Sequence, residues 1–110
     1  MSSVFSQIIE RKLPAKVVLE NEHVIAIEDI HPVAPVHILI IPKKEISSIQ
    51  YLKREDMHLM GHIVEAAQKI ADKLELTDYR LVTNNGPDAG QTVFHLHFHM
   101  IGGKKLQHLV

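Results

Sequence analysis

His95-Leu96-His97-Phe98-His99-Met100-Ile101 spaces three histidines by single large apolar residues near the end of a 110-residue chain. Side chains of a strand alternate between faces, so this spacing predicts three imidazoles on one side and Leu96, Phe98 and Met100 on the other. The ring attachments would lie about 6.7 Å apart, two strand rises, so one small anion could touch more than one ring. Neutral imidazole keeps a free lone pair at physiological pH and can attack phosphorus without a dedicated strong base. Its neighbours can donate to non-bridging oxygens or protonate a leaving group. Crowding such rings against an apolar layer disfavours their charged forms, which keeps a nucleophile available. Two blander readings compete. One is a half-exposed strand with a histidine-rich polar face. The other is a divalent cation shared by histidines at i and i+2, with His37 as an outside ligand. No carboxylate or thiolate adjoins the run to complete such a set, so metal ranks second, as an incidental ligand.

Other residues gather around this run. Asn84-Asn85-Gly86-Pro87-Asp88-Ala89-Gly90 is a dense turn signal just ahead of it. Read plainly it is a turn; read chemically it is a phosphate cradle, with Gly90 letting the backbone come close and Gln91 and Thr92 offering donors. His37 lies in an apolar strand and needs a partner, which a neighbouring histidine-rich strand would supply. His58 and His62, at i and i+4, could clasp a metal. At 100° per residue they fall instead on a solvated face with Glu55, Glu65, Lys69 and Lys73. Leu59 also stands where a zinc-protease signature requires Glu.

The elements that must position these residues follow from periodicity. Val4, Phe5, Ile8 and Ile9 predict a short N-terminal helix closed by Pro14. Val17 to Leu19 and Val24 to Ile27 read as strands joined by a turn at Glu20-Asn21-Glu22. Pro32 and Pro35 force an extended loop, and His37 to Ile41 is a buried strand stopped at Pro42. A long helix is predicted from Arg54 to Leu74, burying Met57, Met60, Gly61, Val64, Ala67, Gln68, Ala71 and Leu74. Tyr79 to Thr83 is a further strand, and the histidine strand ends at Gly102-Gly103. This order predicts a single α+β domain over residues 1–110, an antiparallel five-stranded sheet backed by the long helix.

Composition narrows the class. A hydrophobic fraction of 45% and a charged fraction of 23% are ordinary for a soluble globular domain. The net charge of −1 gives no basic field to draw nucleic acid or an acidic membrane. Without cysteine there is no disulfide framework and no thiolate site. Met1 to Lys12 does not read as a secretory signal, and the apolar run Val36 to Ile41 is too short to span a bilayer. A cytoplasmic protein is the expectation.

Taken together, these residues resemble the histidine triad (HIT) superfamily, whose mark is His-φ-His-φ-His-φ-φ with φ hydrophobic; His95 to Ile101 fits at every position. The similarity covers nearly the whole chain, through Ile8-Ile9, Leu13 to Lys16, Asp29-Ile30, Ala34 to Lys44 and Gly90 to Val93. Gly102-Gly103 favours the Hint branch of histidine triad nucleotide-binding proteins over the Fhit branch, which typically carries Pro-Arg there. The resemblance implies a HIT-like fold whose sheet continues across a homodimer. It implies His97 as the nucleophile that forms a nucleotidyl-histidine intermediate, later hydrolysed by water. His99 and His95 would orient the phosphate and handle protons, with His37 hydrogen-bonded behind. Asp29 would bind the ribose hydroxyls; Asn84, Gly90, Gln91 and Thr92 the phosphate; Phe5, Ile8, Ile27 and Ile30 the purine. The implied activity is hydrolysis of purine nucleoside phosphoramidates to AMP or GMP without a metal cofactor, with aminoacyl adenylates as a further substrate class. The alternatives are a non-catalytic nucleotide-binding adaptor, a dinucleoside polyphosphate hydrolase and a zinc-dependent relative. Two departures stand out. Glu45 replaces a histidine often found after the Pro-Lys-Lys run and reads as a surface difference. The tail Lys104 to Val110 lacks the tryptophan-containing end of some Hint proteins.

Overall fold

A computed structural model describes residues 3–108 of the chain. Among them run α1 (Val4–Ile9), β1 (Val17–Glu20), β2 (Val24–Glu28), β3 (Val36–Pro42), α2 (His58–Lys73), β4 (Tyr79–Val82) and β5 (Phe98–Gly102). The strands form one antiparallel sheet in the order β1-β2-β3-β5-β4. This is the predicted α+β architecture. No helix among the described residues is long and apolar enough to cross a membrane. Residues 109–110 of the predicted tail lie outside the described residues.

Each element has a local cause. Ser3 caps α1, its Oγ accepting from the Ser6 N–H at 3.0 Å. The continuous apolar runs of β2 and β3 suit strands buried on both faces. Val24, Ala26, Ile38 and Ile40 face α2, whereas Ile25, Ile27, Leu39 and Ile41 face Phe5 and Ile8 of α1. α2 stops in a left-handed residue, Glu75 (φ 54°). The N–H of Leu76 returns to the carbonyl of Ala71 at 2.8 Å and that of Glu75 to Asp72 at 3.2 Å. This pairing closes helices that most often place glycine at the left-handed position.

Two expectations need correction. The helix begins at His58, after a single 3-10 turn at Arg54–Asp56, and its core stripe is Leu59, Ile63, Ala66, Ala67, Ile70 and Ala71. Of the predicted stripe only Ala67 and Ala71 are fully buried, and Met57, Gly61, Val64, Gln68 and Leu74 are exposed. The helix carries two apolar rows, and periodicity alone cannot choose between them. Ile63 and Ile70 decide it, because burying each stabilises by about 1.5–3 kcal/mol. The second correction concerns the histidine strand. Regular pairing begins only at Phe98, so His95 to His97 precede the strand in a bent, irregular approach. Leu96, Phe98 and Met100 nonetheless join the α2-side core as predicted.

Candidate active site

Pairing of β3 with β5 sets Leu39 opposite His99 and His37 opposite Ile101, on the face that α1 covers. His37 and His99 meet diagonally across that pair. The N–H of Val33 donates to His37 Nδ1 at 3.1 Å, so the proton of neutral His37 sits on Nε2. That Nε2–H faces His99 Nδ1 at 2.9 Å, and Asp29 Oδ2 lies 3.3 Å from the same atom. His99 therefore accepts at Nδ1 and keeps its own proton on Nε2. One backbone amide thus sets the tautomers of two imidazoles in series.

His97 is fixed by different partners. Its Nδ1–H donates to the carbonyl of His95 at 2.8 Å, and since a carbonyl only accepts, Nε2 is left with the lone pair. The hydroxyl of Thr83 donates to the His97 carbonyl at 2.7 Å, holding the backbone. The Phe5 ring stands edge-on at 4.9 Å between centroids, and the His99 ring lies 5.2 Å away. Burial is the main cause that pushes both His97 and His99 below the ordinary histidine value. Repulsion from His97 and His37 lowers His99 further, whereas Asp29 opposes the shift in both. The His95 carbonyl also opposes it at His97.

His95 does not share their situation, which corrects the expectation that it touches the phosphate. Its side chain is 0% exposed. Nε2–H donates to the carbonyl of Pro42 at 2.8 Å, and Nδ1 accepts from the hydroxyl of Ser3 at 2.9 Å. Both nitrogens are taken by groups of the protein itself. Burial is the first cause lowering its pKa, with the Pro42 carbonyl and Glu45 opposing. Glu45, expected to be a mere surface difference, is the hub behind this ring. Its Oε1 accepts from the Ser3 N–H at 3.0 Å and the Ser6 hydroxyl at 2.8 Å. Those hydrogen bonds hold its carboxyl below the usual range. Pattern reading missed Ser3, Ser6, Thr83 and Val33 as supports of the site; a serine just ahead of the first helical apolar residue is the one local signal that could have pointed to Ser3.

The remaining predicted residues divide. Phe5, Ile8 and Ile27 pack together in the α1-side cluster, but Ile30 stands 86% exposed in the loop after β2. Asp29 is half-buried, and its Oδ1 accepts from the N–H of His31 at 2.8 Å. Gly90 adopts a left-handed φ of 99°, and a Cβ there would sit 3.6 Å from Asn84 Nδ2, so these two are adjacent. Gln91 is corrected from phosphate donor to organiser of its loop. Its amide donates to the carbonyls of Ser47 and Val93, its Oε1 accepts from Gly86, and its backbone N–H goes to the Gly86 carbonyl. Thr92 is exposed and lines a cleft of about 560 Å³ with Glu45, Ser47 and Phe94; no triad histidine lines it. The carboxylate missing from the sequence-level metal reading is Asp29, whose ligating oxygen lies within 4.8 Å of nitrogens of His37 and His99. A cation there would have to displace the proton that Val33 places on His37 Nε2.

An antiparallel α+β sheet carrying a buried histidine, an adjacent imidazole with a free Nε2 and a third on a hydrogen-bonded relay defines the class of histidine-triad proteins. The HIT domain family matches residues 10–106, and the chain belongs to that family. An uncharacterized HIT-like protein of Synechocystis is 46% identical over 103 residues, 93% of this chain and 90% of its own. A solved HIT family hydrolase from Clostridium thermocellum superposes with a TM-score of 0.95 at 45% identity, covering 99% of this chain and 96% of that one. A histidine triad nucleotide-binding protein from Candida albicans gives a TM-score of 0.85 at 30% identity, covering 94% and 76%.

Proposed function

We propose that this protein is a purine nucleoside phosphoramidate hydrolase that works through a nucleotidyl-His97 intermediate without a metal cofactor. The observation that carries the reading is the His97 Nδ1–H to His95 carbonyl bond, which leaves the lone pair on Nε2. Nε2 attacks phosphorus, and the positive charge that the ring acquires is met by the His95 carbonyl oxygen. The Nε2–H of His99 donates to a non-bridging oxygen. The P–N bond breaks as nitrogen takes a proton from water and departs as an amine. A second water then attacks the nucleotidyl-imidazolium, releasing AMP or GMP and one proton and restoring the lone pair. Asp29 on the ribose, Asn84, Gly90 and Thr92 at the phosphate, and Phe5, Ile8 and Ile27 against the purine complete the reading. Relatives named as hydrolase and as nucleotide-binding support its coarse form.

The working unit in this reading is a cytoplasmic homodimer joined at the β4 edge. Of the two edges β1 is irregular between Val17 and Leu19, whereas β4 pairs regularly on its inner side and exposes Tyr79. The outward row of Met57, just ahead of α2, with Gly61 and Val64 on it supplies apolar surface suited to a second copy. Mass spectrometry after brief mixing with an adenosine phosphoramidate tests the chemistry. A nucleotidyl adduct on His97 is expected, with adduct and turnover both absent in His97→Ala while AMP still binds. A wild-type chain that binds AMP but gains no adduct would instead be an adaptor.

A further inference from the structure

Apart from the triad, three more histidines converge at the surface. His23 closes the β1–β2 turn, and His58 and His62 lie one turn apart at the start of α2. The rings of His23 and His62 stack at 3.8 Å between centroids with 19° between planes. That of His58 stands edge-on to both, at 6.0 and 5.9 Å. We propose that His23, His58 and His62 form a binding site for a divalent transition ion of the zinc class, clipping the β1–β2 turn to α2.

The backbone that carries these rings is anchored. Asn21 Oδ1 accepts from the N–H groups of His23 and Val24 at 2.8 and 3.0 Å, and the Lys43 N–H donates to the His23 carbonyl at 2.8 Å. His58 Nδ1–H donates to the Glu55 carbonyl at 2.9 Å, which leaves Nε2 as the ligating atom. A metal-bound histidine is usually held in this way by a carbonyl on its other nitrogen. The His62 ring makes no hydrogen bond among the described residues, so both its ring nitrogens are available. The local field also suits a cation. In the adjoining groove of about 300 Å³, Lys44 is paired with Asp56 at 2.6 Å and Lys43 with Glu20 at 2.8 Å. Glu22 and Glu55 pair with no lysine or arginine there, and Glu22 Oε1 lies 3.3 Å from His23 Nε2 as a candidate fourth ligand.

Three imidazoles with a carboxylate or water select Zn²⁺, Ni²⁺ or Cu²⁺ over Mg²⁺ or Ca²⁺. Tetrahedral zinc needs ligand nitrogens about 3.3 Å apart. The three rings are not drawn together to that spacing in the structure, so binding requires these partly exposed side chains to turn about χ. An i, i+4 pair by itself would hold such an ion weakly; the third ring, delivered by a turn more than thirty positions earlier in the chain, is what the fold adds.

Calorimetry with zinc chloride on the untagged chain tests the site. One ion per chain is expected, with affinity falling at least tenfold in His23→Ala and further in His58→Ala and His62→Ala, and unchanged in His99→Ala. Thermal unfolding should shift upward with zinc in the wild type and not in His62→Ala, because an ion bound to the folded state alone stabilises it. Should a variant misfold, nickel added to the wild-type chain provides the second measurement. NMR signals of residues 22–24 and 58–62 should broaden before those of residues 97–99. Absence of zinc binding, wild-type affinity in His23→Ala, loss confined to His99→Ala, or broadening that starts at the triad would overturn the proposal.

Discussion

At the scale of residues the site is governed by where single protons sit. Val33 is 60% exposed, yet its amide fixes His37, and through it His99, by occupying the one nitrogen that could have carried the proton instead. His97 is held in the complementary state by a carbonyl. The lone pair of His97 is lost on protonation, and its pKa lies below the ordinary 6.5. In the proposed reaction kcat/KM should therefore stay level as pH falls through 6.5 and decline only at lower pH. An acid limb centred at or above 6.5 in the pH–rate profile would contradict the assignment of His97 as the neutral nucleophile.

At the scale of elements, α2 does two jobs with adjacent residues. Ile63 is wholly buried and Val64 is 46% exposed. Ile63→Ala should destabilise the fold by about 2–5 kcal/mol in urea unfolding. Val64→Glu should leave the fold of the chain intact but shift it toward monomer in light scattering, if the outward row meets a second copy. The end of α2 offers the converse test. Glu75 holds a left-handed conformation that costs a side-chain-bearing residue about 1–2 kcal/mol, partly offset by the greater chain entropy of glycine. Glu75→Gly is accordingly expected to stabilise by about 0.5–1 kcal/mol, read from the same unfolding curves.

At the scale of the whole molecule, buried neutral histidines make the fold sensitive to acid. His95, His97 and His99 all have pKa values depressed from 6.5. Below 6.5 the unfolded chain binds more protons than the folded one, so stability should fall as pH drops from 6.5 through the folded values. Chemical unfolding between pH 7 and 5 should show this loss, and replacing His99 by Gln should shrink it. Much of this molecule was legible beforehand. The spacing of His95, His97 and His99 and the apolar alternation beside them are local, so the α2-side row of Leu96, Phe98 and Met100 followed from the sequence alone, as the order of elements did from periodicity; His97 as nucleophile came only from the family resemblance. What tertiary structure decided is which nitrogen of each ring is free, that His95 supports the site from behind, that Glu45 and Ser3 brace it, and that His23 joins His58 and His62. Those outcomes depend on partners far away in the chain, and local periodicity carries no information about which distant carbonyl or amide will meet a given ring.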